Sequence, residues 1–279
     1  MEPQTDMTPE IPTKSYICHR TSQPPSLNGR LDSPAWQQVE RSPRFVDMAT
    51  GEPAFFGTQA AALWDDDYLY VGFWIEEPFV RAKLTERDSL IFQENDVEVF
   101  IDGGDCYYEF EINALGTIYE VFFIWKDAHA RFDQAEWDVL RRDALTFGGN
   151  YDRSPETFWR GTHPRGLRWA FLDYDMPGVR WATHIDGAIN DDSVVDKGWT
   201  AEIAFPWAAM KELANGRSLP PKDGDEWRVF FGRFESLRAG GQAMSPQPAW
   251  SWNAHGVYDT HRPERFTRVR FSDSTLETP

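Results

Sequence analysis

The most constraining feature of the chain is a two-residue apolar period over residues 94–125, ENDVEVFIDGGDCYYEFEINALGTIYEVFFIW. Side chains of a strand point alternately to two faces, so a run with this period folds as strands and not as a helix, whose period is 3.6. The turn stretches GGDC and ALG divide the run into three strands. If Val97, Val99 and Ile101 face a core, Tyr108, Phe110 and Ile112 must face it too, because a slip of one residue turns each set to the wrong side. That pairs 101 with 108 and 99 with 110. It sets Glu98 opposite Glu111, Phe100 opposite Glu109 and Asp96 opposite Asn113. Taking Tyr119, Val121 and Phe123 as inward brings Glu120 beside Glu111. The expectation is a row of carboxylates, Glu98, Glu111 and Glu120, across three strands.

The same period recurs along the chain. AALWDDDYLYVGFWIEE reads as two strands around an Asp-rich turn, and VRWATHI, WTAEIAFP, EWRVFFGRF and RFTRVRF read as later strands. AAMKELANG, after Pro206, reads as a short helix stopped by glycine. Many short strands with little helical pattern predict an all-β antiparallel sandwich. Residues 126–178 break the pattern with an aromatic and charged stretch, for which a short helix near 133–143 is expected. About 50 residues is the low end for an independent core, so this stretch reads as one long inserted excursion. The predicted organisation is a flexible N-terminal arm over 1–26, a sandwich over 27–272 and a C-terminal tail over 273–279.

Composition narrows the function classes. Hydrophobic residues make up 41% of the chain and aromatics 15%, with 13 Trp, which supports a packed core. Trp36, Trp64, Trp199 and Trp227 sit within strand or turn patterns and read as structural, whereas Trp125, Trp250 and Trp252 are surface candidates. A net charge of −17 argues against nucleic acid and against an anionic membrane surface as partners. No apolar run approaches the roughly 18 residues of a membrane span. The first 26 residues, MEPQTDMTPEIPTKSYICHRTSQPPS, lack a basic segment followed by an apolar one, so a cytoplasmic location is expected, with secretion after signal removal as the alternative. Cys18 in the arm and Cys106 in a turn read as two free thiols.

A row of like charges costs a sheet up to ~1 kcal/mol per opposed pair. Three things would offset it. One is a cation such as calcium, which takes several oxygen ligands. Another is an arginine of a neighbouring strand, with Arg233 the best placed. The third is a polyhydroxyl ligand donating to the carboxylates. A plain solvated acidic face, with its charges screened, is the alternative to all three.

LNGRLDSPAW, LWDDDYLYVGFWIEEP, ENDVEVFID, YYEFEINALGT, DKGWTAEIAFPW and WSWNAHGVYDTHRPERF follow one another in that order. Together they resemble the family 9 carbohydrate-binding modules and similar domains, over about residues 27–271. The resemblance implies an immunoglobulin-like β-sandwich without catalytic machinery, which binds a sugar or a polysaccharide chain end and serves carbohydrate catabolism. It also implies structural calcium. Two aromatics would hold the sugar, one just before the DVEVFID strand and one from the C-terminal segment. Phe92 stands at the first position, where a tryptophan is typical, and Trp250 and Trp252 lie near the second. Glu98 matches the acidic ligand-contacting position, while Glu111 stands where an arginine is expected. The candidate carbohydrate-binding set is Phe92, Asp96, Glu98, Glu109, Glu111, Asn113, Arg233, Trp250 and Trp252.

Two other readings stand beside this one. Paired carboxylates are the machinery of a glycoside hydrolase, whose acid and base carboxyls lie ~5 to ~9.5 Å apart, and strand neighbours such as Glu98, Glu109 and Glu111 meet that spacing. His261 and Met244 raise the option of a haem electron-transfer sandwich, against which His261 reads as a surface histidine.

Overall fold

The computed structural model describes residues 12–149, 163–239 and 242–276. Its strands are β1 (Ser15–Arg20), β2 (Val46–Asp47), β3 (Thr58–Trp64), β4 (Tyr68–Glu76), β5 (Asp96–Asp102), β6 (Cys106–Asn113), β7 (Ile118–Trp125) and β8 (Ala144–Phe147). They continue as β9 (Arg168–Phe171), β10 (Arg180–Asp186), β11 (Gly198–Pro206), β12 (Glu226–Phe234), β13 (Arg238–Ala239), β14 (Gln242–Ala243), β15 (Ala249–Ser251) and β16 (Thr267–Thr275). Two short helices, α1 (Pro34–Gln38) and α2 (Lys211–Ala214), lie between strands. The all-β sandwich expected from the apolar period is the fold.

The strands follow one hydrogen-bonded order, β10-β11-β4-β3-β1-β16-β12-β5-β6-β7-β9-β8. The β10–β3 segment packs on the β12–β7 segment, with Phe110 edge-on to Phe205 at 5.3 Å and Phe73 against Phe231 at 6.3 Å. Val97, Val99, Ile101, Phe110 and Ile112 are fully buried between them, as the alternation requires. Strand β1 joins the layers. It runs parallel to β16 through Ser15–His19 and parallel to β3 through His19 and Arg20. These are exceptions to the antiparallel pattern. They also correct the expected arm over 1–26, since Tyr16 and Cys18 of that stretch are buried. At the other end, β16 runs to Thr275, so the expected tail is strand for three of its residues.

The 126–178 excursion adds to the sheet. Strand β9 pairs with β7 and β8 pairs with β9, both antiparallel. The helix expected near 133–143 does not form: residues 133–143 are turns, with Trp137 buried against Phe122 at 4.6 Å. Isolated turns, closed by hydrogen bonds from the Trp137 amide to the Asp133 carbonyl and from the Arg142 amide to the Asp138 carbonyl, replace a continuous helix, with Trp137 as the anchor in the core. Residues 150–162 of the excursion lie outside the described residues. Both cysteines are free and buried, and Cys106 opens β6.

Candidate functional site

The β5–β6 hairpin has the register expected from sequence, with Glu98 opposite Glu111, Phe100 opposite Glu109 and Asp96 opposite Asn113. The β6–β7 turn does not. Asn113 Oδ1 accepts hydrogen bonds from the Leu115 and Thr117 amides, each at 3.0 Å, and Gly116 takes a left-handed φ of 79°. This turn sets Ile112 opposite Ile118, Glu111 opposite Tyr119 and Phe110 opposite Glu120. A shift of one residue reverses the face of every side chain on a strand. Glu120 therefore leaves the row and points inward, where it accepts from the Tyr108 hydroxyl at 2.5 Å and the Met176 amide at 3.0 Å and is paired with Arg87. Tyr119, Val121 and Phe123 take the opposite face, beside the remaining carboxylates.

That face is not open to solvent. It carries a second hydrophobic cluster that includes Phe100, Tyr107, Phe123, Phe230, Phe234 and Phe266. Within it lies a pocket of about 270 Å³. Glu98, Glu109 and Glu111 line it, and rings of Phe92, Tyr119, Phe123, Phe147 and Phe234 wall it. Thr260 and His261, from the segment before β16, close one side. Phe92, on the 3-10 turn Ile91–Gln93, packs edge-on to Tyr119 at 5.7 Å. Leu90 and Leu145 form an apolar rim, 47% and 42% exposed. Gly232, opposite Glu98 on β12, leaves room for the acid: an added Cβ would meet the Phe230 ring at 2.4 Å and Glu98 Oε2 at 3.2 Å.

The carboxylates are buried, Asp96 completely and Glu98, Glu109 and Glu111 to 5% exposure or less. Asp96 Oδ1 accepts the Phe234 amide at 3.2 Å. Asp96 Oδ2, Glu109 Oε2 and Glu111 Oε2 have no hydrogen-bond partner among the described residues. Burial pushes Glu109 up to about 7. Burial, reinforced by repulsion from Asp96, Glu98 and Glu109, holds the Glu111 carboxyl well above the usual range. Burial raises Asp96 in the same way. Glu111 lies against both Asp96 and Glu109, and such carboxyl–carboxylate contacts are attractive only while a proton is shared. His261, lowered well below its ordinary value by burial and by Arg168, is a neutral ring whose Nδ1 lies 3.1 Å from the Tyr107 hydroxyl.

Oxygens of Asp96, Glu98 and Glu111 lie within 4.8 Å of one another. Their type and spacing suit calcium, but they supply three of the six to eight oxygens that calcium takes, and Glu109 is not among them.

The other expected site residues lie elsewhere. Arg233 sits opposite Val97, so it faces the space between the layers. There it pairs with Glu235 at 2.5 Å and Glu77 at 3.5 Å, and donates to Thr58 Oγ1 and the Glu76 carbonyl. It does not offset the carboxylate row. Asn113 is spent on its turn and on the Leu84 carbonyl. Trp250 and Trp252 are core residues, 1% and 3% exposed, the latter packed on Tyr16 and Phe231 at 5.0 Å each. Trp125 is also buried, at 2%. Met244 is 39% exposed beside a two-stranded ribbon, while His261 is enclosed among rings with Tyr107 on its Nδ1, so the two sit in unlike surroundings. Sequence reasoning missed the walls supplied by Tyr119, Phe123, Phe147 and Phe234. The available signal was that β7 is apolar at both odd and even positions, the mark of a strand covered on both faces.

Fold and pocket together define a class: a β-sandwich with an enclosed aromatic, carboxylate-floored pocket on the outer face of one layer. The model of carbohydrate-binding family 9 matches residues 57–144, which contain Phe92, the three lining carboxylates and Tyr119. The resemblance read from the sequence motifs stands over that stretch. Among solved structures, a Bacteroides uniformis protein provisionally named carbohydrate-binding superposes with a TM-score of 0.56 at 16% identity, covering 93% of this chain and 100% of that one. It shows that the fold is shared. Two structures of a family 9 module from Caldicellulosiruptor kristjanssonii are also similar. The glucose complex has a TM-score of 0.47 at 12% identity, covering 94% of this chain and 99% of the module. The cellotriose complex has a TM-score of 0.45 at 14% identity, covering 95% and 98%. No curated protein matches the chain.

Proposed function

We propose that the chain is a non-catalytic carbohydrate-binding domain and that the pocket between β5, β6, β7 and the excursion strands holds the sugar. The observation that carries this is the pocket itself. Flat rings on several sides pack against the C–H faces of a pyranose, and the buried carboxylate oxygens accept hydrogen bonds from its hydroxyls. About 270 Å³ is the scale of one or two sugar rings and not of a long chain threaded through. The match of the family model to the segment that builds the pocket supports the reading. So do the names of the Caldicellulosiruptor complexes, whose ligands are glucose and cellotriose.

Calorimetric titration with a panel of mono- and oligosaccharides tests it. Saturable binding that is weakened by Phe92→Ala is the expected result. Absence of binding across the panel overturns it. Release of the chromophore from a chromogenic glycoside, lost in Glu98→Gln, would make the domain an enzyme instead.

A further inference from the structure

The carbohydrate reading leaves the balance of donors and acceptors in the pocket unexplained. A sugar hydroxyl both donates and accepts, so a site for a neutral sugar is served best by both kinds of group. The buried floor is three carboxyl groups, Glu98, Glu109 and Glu111, and the polar groups beside them are Tyr119, Thr260 and His261. Glu109 and Glu111 each present a buried oxygen with no hydrogen-bond partner among the described residues, and both line the pocket. No lysine or arginine is among the described lining residues. The nearest candidate by sequence, Arg233, is engaged between the layers. The walls add a second, independent preference. Five aromatic rings surround one small space, and a cation held over the face of such a ring is attracted to it.

Resting on the carbohydrate-binding reading, we propose that the pocket selects a sugar bearing a protonated amine, an amino sugar, with the ammonium on Glu109 and Glu111 and the ring packed against the aromatic wall that includes Phe92 and Tyr119. An ammonium has three donors and no acceptor, which complements a floor of orphaned acceptors. A buried carboxylate costs far less when a cation shares its burial. The same neutralisation removes the repulsion between Glu98 and Glu111, which face each other directly across β5 and β6. A divalent ion on Asp96, Glu98 and Glu111 would leave Glu109 Oε2 unanswered and would need half or more of its shell from water or ligand.

The test is titration calorimetry with matched sets: glucosamine, glucose and N-acetylglucosamine, and the corresponding galactose and mannose sets. In at least one set the free amine should bind ten-fold or more tightly than the parent hydroxyl sugar, and N-acetylation should abolish the gain. Glu109→Gln and Glu111→Gln, first shown to be folded by their melts, should each cut the preference for the free amine over the parent sugar to three-fold or less. Equal affinity for amine and hydroxyl in every set overturns the inference but leaves carbohydrate binding intact. Absence of binding in every set overturns both. Tight binding of choline with no preference among the sugars overturns the amino-sugar assignment. A rise in melting temperature with calcium alone, lost in Glu111→Gln, assigns the carboxylates to a metal and overturns it as well.

Discussion

At the residue scale, the carboxylates and tryptophans show how little residue identity says about direction. Phe92 belongs to the pocket, and its truncation to Ala should weaken sugar binding by about 1–3 kcal/mol, the scale of burying a large apolar side chain. Calorimetry on the folded variant checks this. Trp252, expected at the surface, is core, so Trp252→Ala should lower stability by about 3–5 kcal/mol in urea melts and leave affinity unchanged. Arg233 gives a sharper case. Arg233→Met removes the positive partner of two buried acids, Glu77 and Glu235, and should cost about 3–5 kcal/mol by the same measurement. A stability equal to wild type would show that those acids are neutral without it. The sequence identified these groups as unusual. Their alternation then decides the rest: Glu98 and Glu111 fall on the pocket face, whereas Arg233, opposite Val97, falls on the inner one. Applied to β12 and β15 as strictly as to β5 and β6, the same rule would have placed Arg233 and Trp250 correctly.

At the element scale, the contrast lies between two hairpins. The β5–β6 register was legible because its apolar residues occupy one face and its acids the other, so one pairing alone satisfies both strands. Strand β7 was not legible, because Ile118, Phe122 and Ile124 pack inward while Tyr119, Val121 and Phe123 pack outward. A strand apolar on both faces has no pattern to break a tie, and the Asn113 turn breaks it instead. The consequence for Glu120 can be measured. Burial raises it to about 7 despite Arg87, so the folded state holds this proton more tightly than the unfolded chain. Its contribution to stability is full below the unfolded value of ~4.5 and is lost as pH rises through about 7. The slope is at most one proton's worth, about 1.4 kcal/mol per pH unit. Melts between pH 5 and 8.5 should show a shallower decline for Glu120→Gln than for wild type. Some decline should persist, since Glu109 and Glu235 are also raised to about 7. Parallel curves would mean that Glu120 is ionised throughout.

At the scale of the whole molecule, the sandwich was legible and its stitching was not. Repetition of short alternating segments along the chain left few options besides two packed layers. A proline-flanked N-terminal stretch gives no sign, by composition, that Tyr16 and Cys18 are buried in a strand shared by both. Tyr16 donates to the Ala62 and Glu40 carbonyls at 3.1 Å each and packs on Trp252. Tyr16→Ala should therefore destabilise the entire fold, by about 3–5 kcal/mol, with a single urea transition and no separate loss of one layer. Because β1 bridges β3 and β16, the main path of paired strands has two ends among the described residues, β10 and β8. An unpaired strand edge is a template on which another chain can polymerise, and proteins blunt such edges with brevity and charge. Strand β8 is four residues long, and β10 carries Arg180 and Asp186 exposed at its two ends. A chain so rich in β-structure thus offers little purchase for fibril growth, and the small strand that sews the layers together removes two further edges from which it would start.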